Sequence, residues 1–264
     1  MDLSFRGPGS PNVRLHPWAE VGRRLLVEVP VAATIGVFDG VHRGHQSLLE
    51  ELIRPTTPGQ ESLVVTFRAS PKRVLNPAYP GDLMTWDEKV RALADAGVHH
   101  VVVIDFSPAF STMAGRDFFL GLKKSFVFSK LVLGWNFSFG RDSATTAADL
   151  GWLADPETRL TVLPPFVLEG RVVSSSAVRQ AIAEGDMARA RTLLGRPYSL
   201  PLEPPFRRED GLWTVPRSAV GKLLPPPGTY PVRLDGRTTR LNLDEHLLSW
   251  ESPPGLRFQE IVFE

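Results

Sequence analysis

The chain has 264 residues, 42% hydrophobic and 22% charged, which is material for one full globular domain and a smaller second unit. Thirty Lys and Arg against 29 Asp and Glu leave a formal charge of +1, too even a balance for a global field that gathers nucleic acid or an anionic membrane. There is no cysteine, which excludes disulfides, thiolate metal sites and a cysteine nucleophile.

The first residues, MDLSFRGPGSPNVRLHPWAE, are broken by Pro and Gly and lack the basic-then-apolar order of a secretory signal. No later apolar run is long enough to span a bilayer, so a cytoplasmic protein with no membrane partner is expected. From there, apolar β-rich runs alternate with helical patterns. Strands are predicted over 32–38, 62–67, 100–105 and 130–133, and helices over 45–53, 86–96 and 117–124. The alternation reads as βαβ units on a doubly wound, Rossmann-like parallel sheet, whose β-branched run at 100–105 suits a strand covered on both faces. Ligands in such folds sit at the carboxyl ends of strands, here the loops after Val37, Phe67, Asp105 and Leu133. The 24 prolines are densest from Pro201 to Pro205 and Pro225 to Pro227, which sets a boundary near Leu200. Residues 1–200 are expected to form the first domain, and 201–264 a small antiparallel β-barrel-like domain with strands near 212–215, 230–234, 240–243 and 258–263. There is no internal repeat.

The segment from Thr34 to Ile53 reads as strand, glycine-bearing turn and helix. Gly36, Gly40 and Gly44 let the backbone approach a ligand, and a new helix turns unpaired amides and its positive dipole end toward an anion. His42 and His45 are three apart, so on a first helical turn their imidazoles share one face beside that anion. They supply charge or hydrogen-bond donors near neutral pH, as a phosphate-transfer site needs. Taken alone, such a pair is more often incidental capping or surface histidine. Zinc would want further ligands, but His16, His99, His100 and His246 show no matching spacing, and the Lys-Ser/Thr end of a P-loop is absent.

The string Gly36-Val-Phe-Asp-Gly-Val-His-Arg-Gly-His-Gln-Ser-Leu-Leu49 resembles the HxGH signature of adenylyl- and cytidylyltransferases. In its full length it resembles the prokaryotic riboflavin kinase/FMN adenylyltransferase, or FAD synthetase, family. Three further stretches resemble that family in order. Gly134-Trp-Asn-Phe-Ser-Phe-Gly140 matches its Gly-x-Asp/Asn-Phe-x-Phe-Gly string. Ser174-Ser-Ser-Ala-Val-Arg179 matches its Ser-Ser-Thr-x-x-Arg motif and runs on to Leu194-Gly-Arg-Pro-Tyr198. Thr66-Phe-Arg-Ala-Ser-Pro71 stands where the family has Thr-Phe-x-Pro-His-Pro, with Ala69 and Ser70 in place of the inner Pro and His.

The resemblance implies transfer of AMP from ATP to FMN, giving FAD and pyrophosphate, with Mg²⁺ as cofactor. It implies His42, His45 and Arg179 as catalytic residues, and Gly36, Phe38, Asp39, Gly40, Gly44, Ser174, Ser175 and Ser176 as ATP-binding ones. Asn136, Phe137, Phe139, Thr66 and Phe67 are implied on the flavin side, and no protein ligand to a metal is implied. Read without the resemblance, the serines are plain helix caps and the two phenylalanines core under a loop. The family continues into a riboflavin kinase barrel with a Gly-rich opening and a Pro-Thr-Ala-Asn motif, neither of which is present here. Pro227-Gly-Thr-Tyr230 and Asp244-Glu-His-Leu-Leu248 resemble fragments of that barrel, the latter a strand whose glutamate base aligns with Asp244. Kinase activity is therefore expected to be absent. The alternatives are a bifunctional enzyme with an unusual kinase site, or a flavin- or nucleotide-binding protein without turnover.

Overall fold

A computed structural model describes residues 4–5, 13–141, 144–202, 207–209, 212–251 and 260–264. The chain forms two compact units, Met1–Tyr79 with Trp86–Val167, and Pro80–Thr85 with Leu168–Glu264. No helix among the described residues is long and apolar enough to cross a membrane.

The first unit runs β1 (Ser4–Phe5), β2 (Val13–Pro17), β3 (Val27–Ile35), α1 (Arg43–Ile53), β4 (Glu61–Phe67), α2 (Lys72–Leu75), α3 (Trp86–Asp95) and β5 (His100–Ile104). It continues through α4 (Pro108–Ser111), α5 (Gly115–Ser125), β6 (Phe126–Gly134), β7 (Ser138–Phe139), β8 (Thr145–Thr146), α6 (Ala147–Leu153) and β9 (Arg159–Leu163). The main sheet has the order β1-β2-β5-β4-β3-β6-β9. All its pairs are parallel except β1 with β2.

Alternation along the strands sorts the two faces. Val31, Ala33 and Ile35 of β3 and Leu131 and Leu133 of β6 form one apolar cluster with Phe118, Phe119 and Leu122 of α5 and Leu150 of α6. The opposite register carries Lys130, fully buried, whose ammonium donates to the carboxylate and the carbonyl of Glu51 in α1, both at 2.6 Å. Helices thus cover both faces, as a doubly wound sheet requires. Chain order runs outward from β3 through β4 and β5 on one side and through β6 and β9 on the other. The direction reverses between β3 and β6, so the loops after those two strands open the crevice in which such folds bind ligands.

At the opposite, amino-terminal edge, His16 of β2, His100 of β5 and Glu61 of β4 form a hydrogen-bonded chain, His16 Nε2 lying 3.0 Å from His100 Nδ1. Burial, followed by the His100 charge, lowers the His16 pKa to about 4. Burial also lowers that of His100, although Glu61 works the other way.

After β10 (Val167–Leu168) and β11 (Arg171–Val172), the second unit holds α7 (Ser175–Ala183) and α8 (Met187–Leu194). Asp186 caps α8 by accepting from the Arg189 amide at 2.9 Å, and Gly195 closes it in the left-handed conformation at φ 75°. There follow β12 (Ser199–Pro201), β13 (Arg207–Glu209), β14 (Leu212–Pro216), β15 (Gly228–Leu234), β16 (Arg237–Leu243), β17 (Leu247–Glu251) and β18 (Glu260–Phe263). They make a curled antiparallel half-barrel in the order β12-β18-β15-β16-β17-β14-β13. Its inner face is apolar and buried, with Val215, Val232, Leu241, Leu248, Trp250 and Phe263, while Thr229, Arg233, Arg240 and Asn242 face outward.

Both architectural expectations, the doubly wound sheet and the antiparallel β unit, are met. Several element boundaries differ: the strand expected over 130–133 is β6, which starts at Phe126, and that expected over 240–243 is β16, which starts at Arg237. The strand expected over 32–38 is β3, which starts at Val27 and ends at Ile35, because Phe38 already turns at φ 51°. The strand expected over 258–263 is β18 from Glu260, positions 258 and 259 lying outside the described residues.

Candidate active site

The turn between β3 and α1 is unusual in its backbone. Phe38 at φ 51°, Gly40 at φ 83° and Val41 at φ 36° all lie in the left-handed region, which a bulky or β-branched residue enters only at a conformational cost. Packing over-determines the turn. The Phe38 ring is buried and folds back over Gly36, where an added Cβ would stand 3.1 Å from the ring. The Val41 carbonyl accepts from Gln46 Nε2 at 2.9 Å, and buried Asp39 accepts from the Tyr79 hydroxyl at 3.4 Å.

The turn delivers His42 as the N-cap of α1, its Nδ1 accepting from the His45 amide at 3.3 Å. The two imidazoles stack with centroids 3.7 Å apart and planes 16° from parallel, and the His45 ring also meets Phe38 at 4.9 Å. Gly44 suits the same arrangement, since a Cβ there would stand 3.2 Å from both Cε1 and Nδ1 of His42 and the ring would have to give by a few tenths of an ångström. The amides of Arg43 and Gly44 head the helix with no carbonyl one turn back to receive them. The HxGH spacing thus builds a stacked histidine pair beside the positive end of a helix at the switch point of the sheet.

His45 Nδ1 is covered and has no hydrogen-bond partner among the described residues. Burial first, then the neighbouring His42 and Lys89, hold its pKa well below the ordinary histidine value. At pH 7 the His45 ring is therefore neutral, which leaves it hydrogen-bonding capacity rather than charge.

The loop after β4 is built into the frame of the site. Thr66 is buried and its hydroxyl donates to the Val37 carbonyl at 3.0 Å. Phe67 packs edge-on against Phe106 and Phe110 at 5.8 and 6.3 Å. Lys89 of α3 is 2% exposed and donates to the carbonyls of Val37 at 3.0 Å and Phe67 at 2.8 Å. The sequence reading missed this residue. Its signal was present: Trp86, Lys89, Val90 and Leu93 fall at helical spacing, so the lysine stands on the core-facing stripe.

The loop after β6 exposes Asn136, while Phe137 and Phe139 are half-buried against the α5 cluster, Phe139 lying 5.2 Å from Phe118. The two rings meet each other at 5.3 Å. Gly140 closes the loop at φ 78° against the start of α5, where an added Cβ would fall 2.7 Å from the Gly115 amide nitrogen. Gly140 thus has a steric reason, whereas a Cβ on Gly134 would meet only Asn136 Oδ1 at an ordinary 3.6 Å.

In the second unit, Ser174 is the N-cap of α7, its hydroxyl accepting from the Ala177 amide at 3.2 Å, with Ser175 and Ser176 in the first turn. Arg179 is buried, and its Nε donates to the Gly81 carbonyl at 3.0 Å. Asp244 is not on the strand where the barrel fragment put it. It lies exposed in the turn before β17, where its Oδ1 accepts from the amides of His246 and Leu247 at 2.7 and 2.8 Å. Those two hydrogen bonds lower its pKa.

The profile of the FAD synthetase family matches residues 27–177. The bifunctional riboflavin kinase/FMN adenylyltransferase of Escherichia coli K12 is 33% identical over 177 residues, 63% of this chain and 55% of that protein. The protein of the same description in Listeria monocytogenes is 29% identical over 168 residues, 62% of this chain and 54% of its own length. The chain thus spans about half the length of these curated relatives. A protein described as FAD synthetase in Listeria monocytogenes is 29% identical over 168 residues and is covered to 68%. Among solved structures, a macrolide-efflux protein from Streptococcus pneumoniae shares the fold over 95% of this chain and 89% of its own, with a TM-score of 0.78 at 22% identity. With the profile spanning more than half of the chain, in the region that carries the stacked histidines and the two loops at the switch point, the chain belongs to the FAD synthetase family.

Proposed function

We propose that the chain is an FMN adenylyltransferase: an oxygen of the FMN phosphate attacks the α-phosphorus of ATP, the bond to the bridging oxygen breaks, and pyrophosphate leaves. The carrying observation is the stacked His42/His45 pair at the head of α1. Nucleotidyl transfer needs charge stabilisation and in-line placement rather than a protein nucleophile. The amides of Arg43 and Gly44 and the neutral His45 ring donate to the phosphate oxygens as charge develops, and Gly36, Phe38, Asp39 and Gly40 shape the turn that holds ATP. Ser174–Ser176, at the head of α7, and Arg179, in its middle, are read as a further set of anion-binding groups. Asn136, Phe137 and Phe139, with Thr66 and Phe67, serve the flavin side.

Among the described residues no group of three or more His, Asp or Glu is placed to hold a metal ion. An all-protein Mg²⁺ cage does not fit, and Mg²⁺ enters with the phosphates of ATP, as that ion commonly does. The even charge of the chain favours small-molecule substrates over nucleic acid, and ATP and FMN place the work in the cytoplasm. Functionally, residues 1–200 are the transferase part and 201–264 a shortened kinase-like remnant. The inner face of its half-barrel is filled by apolar side chains, and Asp244 is committed to its own turn, so we read it as lacking riboflavin kinase activity.

The test is purified protein supplied with ATP and Mg²⁺ plus either FMN or riboflavin, with products separated by chromatography. FAD from FMN and no flavin phosphate from riboflavin is the expected result. No FAD from FMN sinks the transferase reading, and FMN or FAD from riboflavin alone sinks the reading of the second unit.

A further inference from the structure

Among the buried ionisable groups, Lys89 has no part in the chemistry proposed above, yet its ammonium lies beneath the site. It is 2% exposed on α3 and donates to Val37 O at 3.0 Å and Phe67 O at 2.8 Å. Val37 immediately precedes the left-handed Phe38, Gly40 and Val41, and its carbonyl also receives the Thr66 hydroxyl at 3.0 Å. Phe67 is the last residue of β4, the strand that pairs with β3. A single cation thus pins the main chain at the carboxyl ends of two adjacent strands, below the turn that presents His42 and below the loop that starts at Arg68.

We propose that Lys89 is a positioning residue of the adenylyl-transfer site: by tying Val37 to Phe67 it holds the strained turn that sets the stacked histidines and the head of α1 against the phosphates. The proposal rests on the FMN adenylyltransferase reading for its effect on turnover, but not for its effect on the site itself. Buried carbonyls that lose a charged donor are left to find another partner, and the turn relaxes toward ordinary backbone angles. The same ammonium acts electrostatically on His45, the other acting charge being His42 on the helix of His45 itself.

The experiment compares the full chain with its Lys89→Met and Lys89→Gln variants in three ways: FAD formation, ATP binding by calorimetry, and NMR titration of the His45 ring without substrates. Lys89→Met should lower kcat by roughly tenfold to a hundredfold, the usual result of misplacing a reacting group by a fraction of an ångström to one ångström. It should also weaken ATP binding and raise the pH at which His45 titrates. Lys89→Gln keeps a donor without the charge and should fall between the two in kcat; it replaces Lys89→Met throughout if that variant does not fold. Wild-type kcat and ATP affinity in a variant with only a lowered Tm would reduce Lys89 to a structural brace and overturn the proposal, as would an unmoved His45 titration. If the wild-type chain makes no FAD, the functional reading fails by itself, and the ATP-binding and NMR comparisons still decide the role of Lys89.

Discussion

Gly44 separates stability from function more cleanly than either histidine. It is the second residue of α1, where alanine is preferred to glycine by up to about 1 kcal/mol in a helix interior and by less in the first turn. Against this, an alanine Cβ would stand 3.2 Å from Nδ1 and Cε1 of His42 and 3.5 Å from Cβ of Phe166. Ordinary carbon contacts lie at about 3.5–4.0 Å, so the His42 ring must recede by a few tenths of an ångström. His42 stacks on His45 at 3.7 Å and also caps the His45 amide, so the ring cannot recede without disturbing one of these. The helix gain and the contact strain are of similar size. Gly44→Ala should therefore leave Tm within about 2 °C of wild type while lowering kcat for FAD formation by roughly tenfold to a hundredfold. Calorimetric melts and a chromatographic FAD assay measure the two quantities. Gly121→Ala is the control: it lies within α5, where an added Cβ would meet only Trp18 at 3.8 Å, so it should match or exceed wild-type Tm at unchanged kcat. Wild-type kcat in Gly44→Ala would refute the claim that the glycine exists to seat the His42 ring.

Acid should destabilise the fold through its buried histidines. Burial lowers the His16 pKa from the ordinary 6.5 to about 4 in the fold, and those of His45 and His100 are also lowered, so the unfolded chain binds more protons between those pH values. Stability is then fully present above pH 6.5 and is lost as pH falls toward 4, His16 alone accounting for about 3 kcal/mol at most. Melts across that range should show Tm falling with acidification, less steeply in His16→Gln; a Tm that rises on acidification would contradict this. Lys130→Met removes the buried ammonium that meets Glu51 at 2.6 Å and reaches the Arg54 carbonyl at 3.4 Å at the end of α1. It should cost about 2–4 kcal/mol and roughly 5–10 °C in Tm, and an unchanged melt would show that the pair contributes nothing net.

The parallel sheet was legible because its central strands β4 and β5 are buried on both faces and α1, α3 and α5 each carry an apolar stripe, so period and composition agree; the partly exposed β2 and β9 lack that signal and were not read. The site was legible where a motif occupies consecutive residues: Phe38 to His45 carries its own turn, cap and glycine, whereas the loop from Gly134 to Gly140 closes on Gly115, which its own sequence does not show. What escaped has one physical cause. The support of the site is distributed over elements far apart in sequence, and a carbonyl leaves no mark in a sequence to show that it receives a buried donor. Lys89 serves Val37 and Phe67 from 52 and 22 positions away, and Lys130 serves the end of α1 from 79 and 76 positions away. Both lysines break an apolar stripe, and a lysine on a core-facing stripe has to find oxygen in the interior. Read in that way, the two exceptions to the apolar pattern point to opposite ends of the histidine-bearing segment. Lys89 braces the turn that feeds α1 and Lys130 its last turn, so both ends of the element that presents His42 and His45 are held by buried cations.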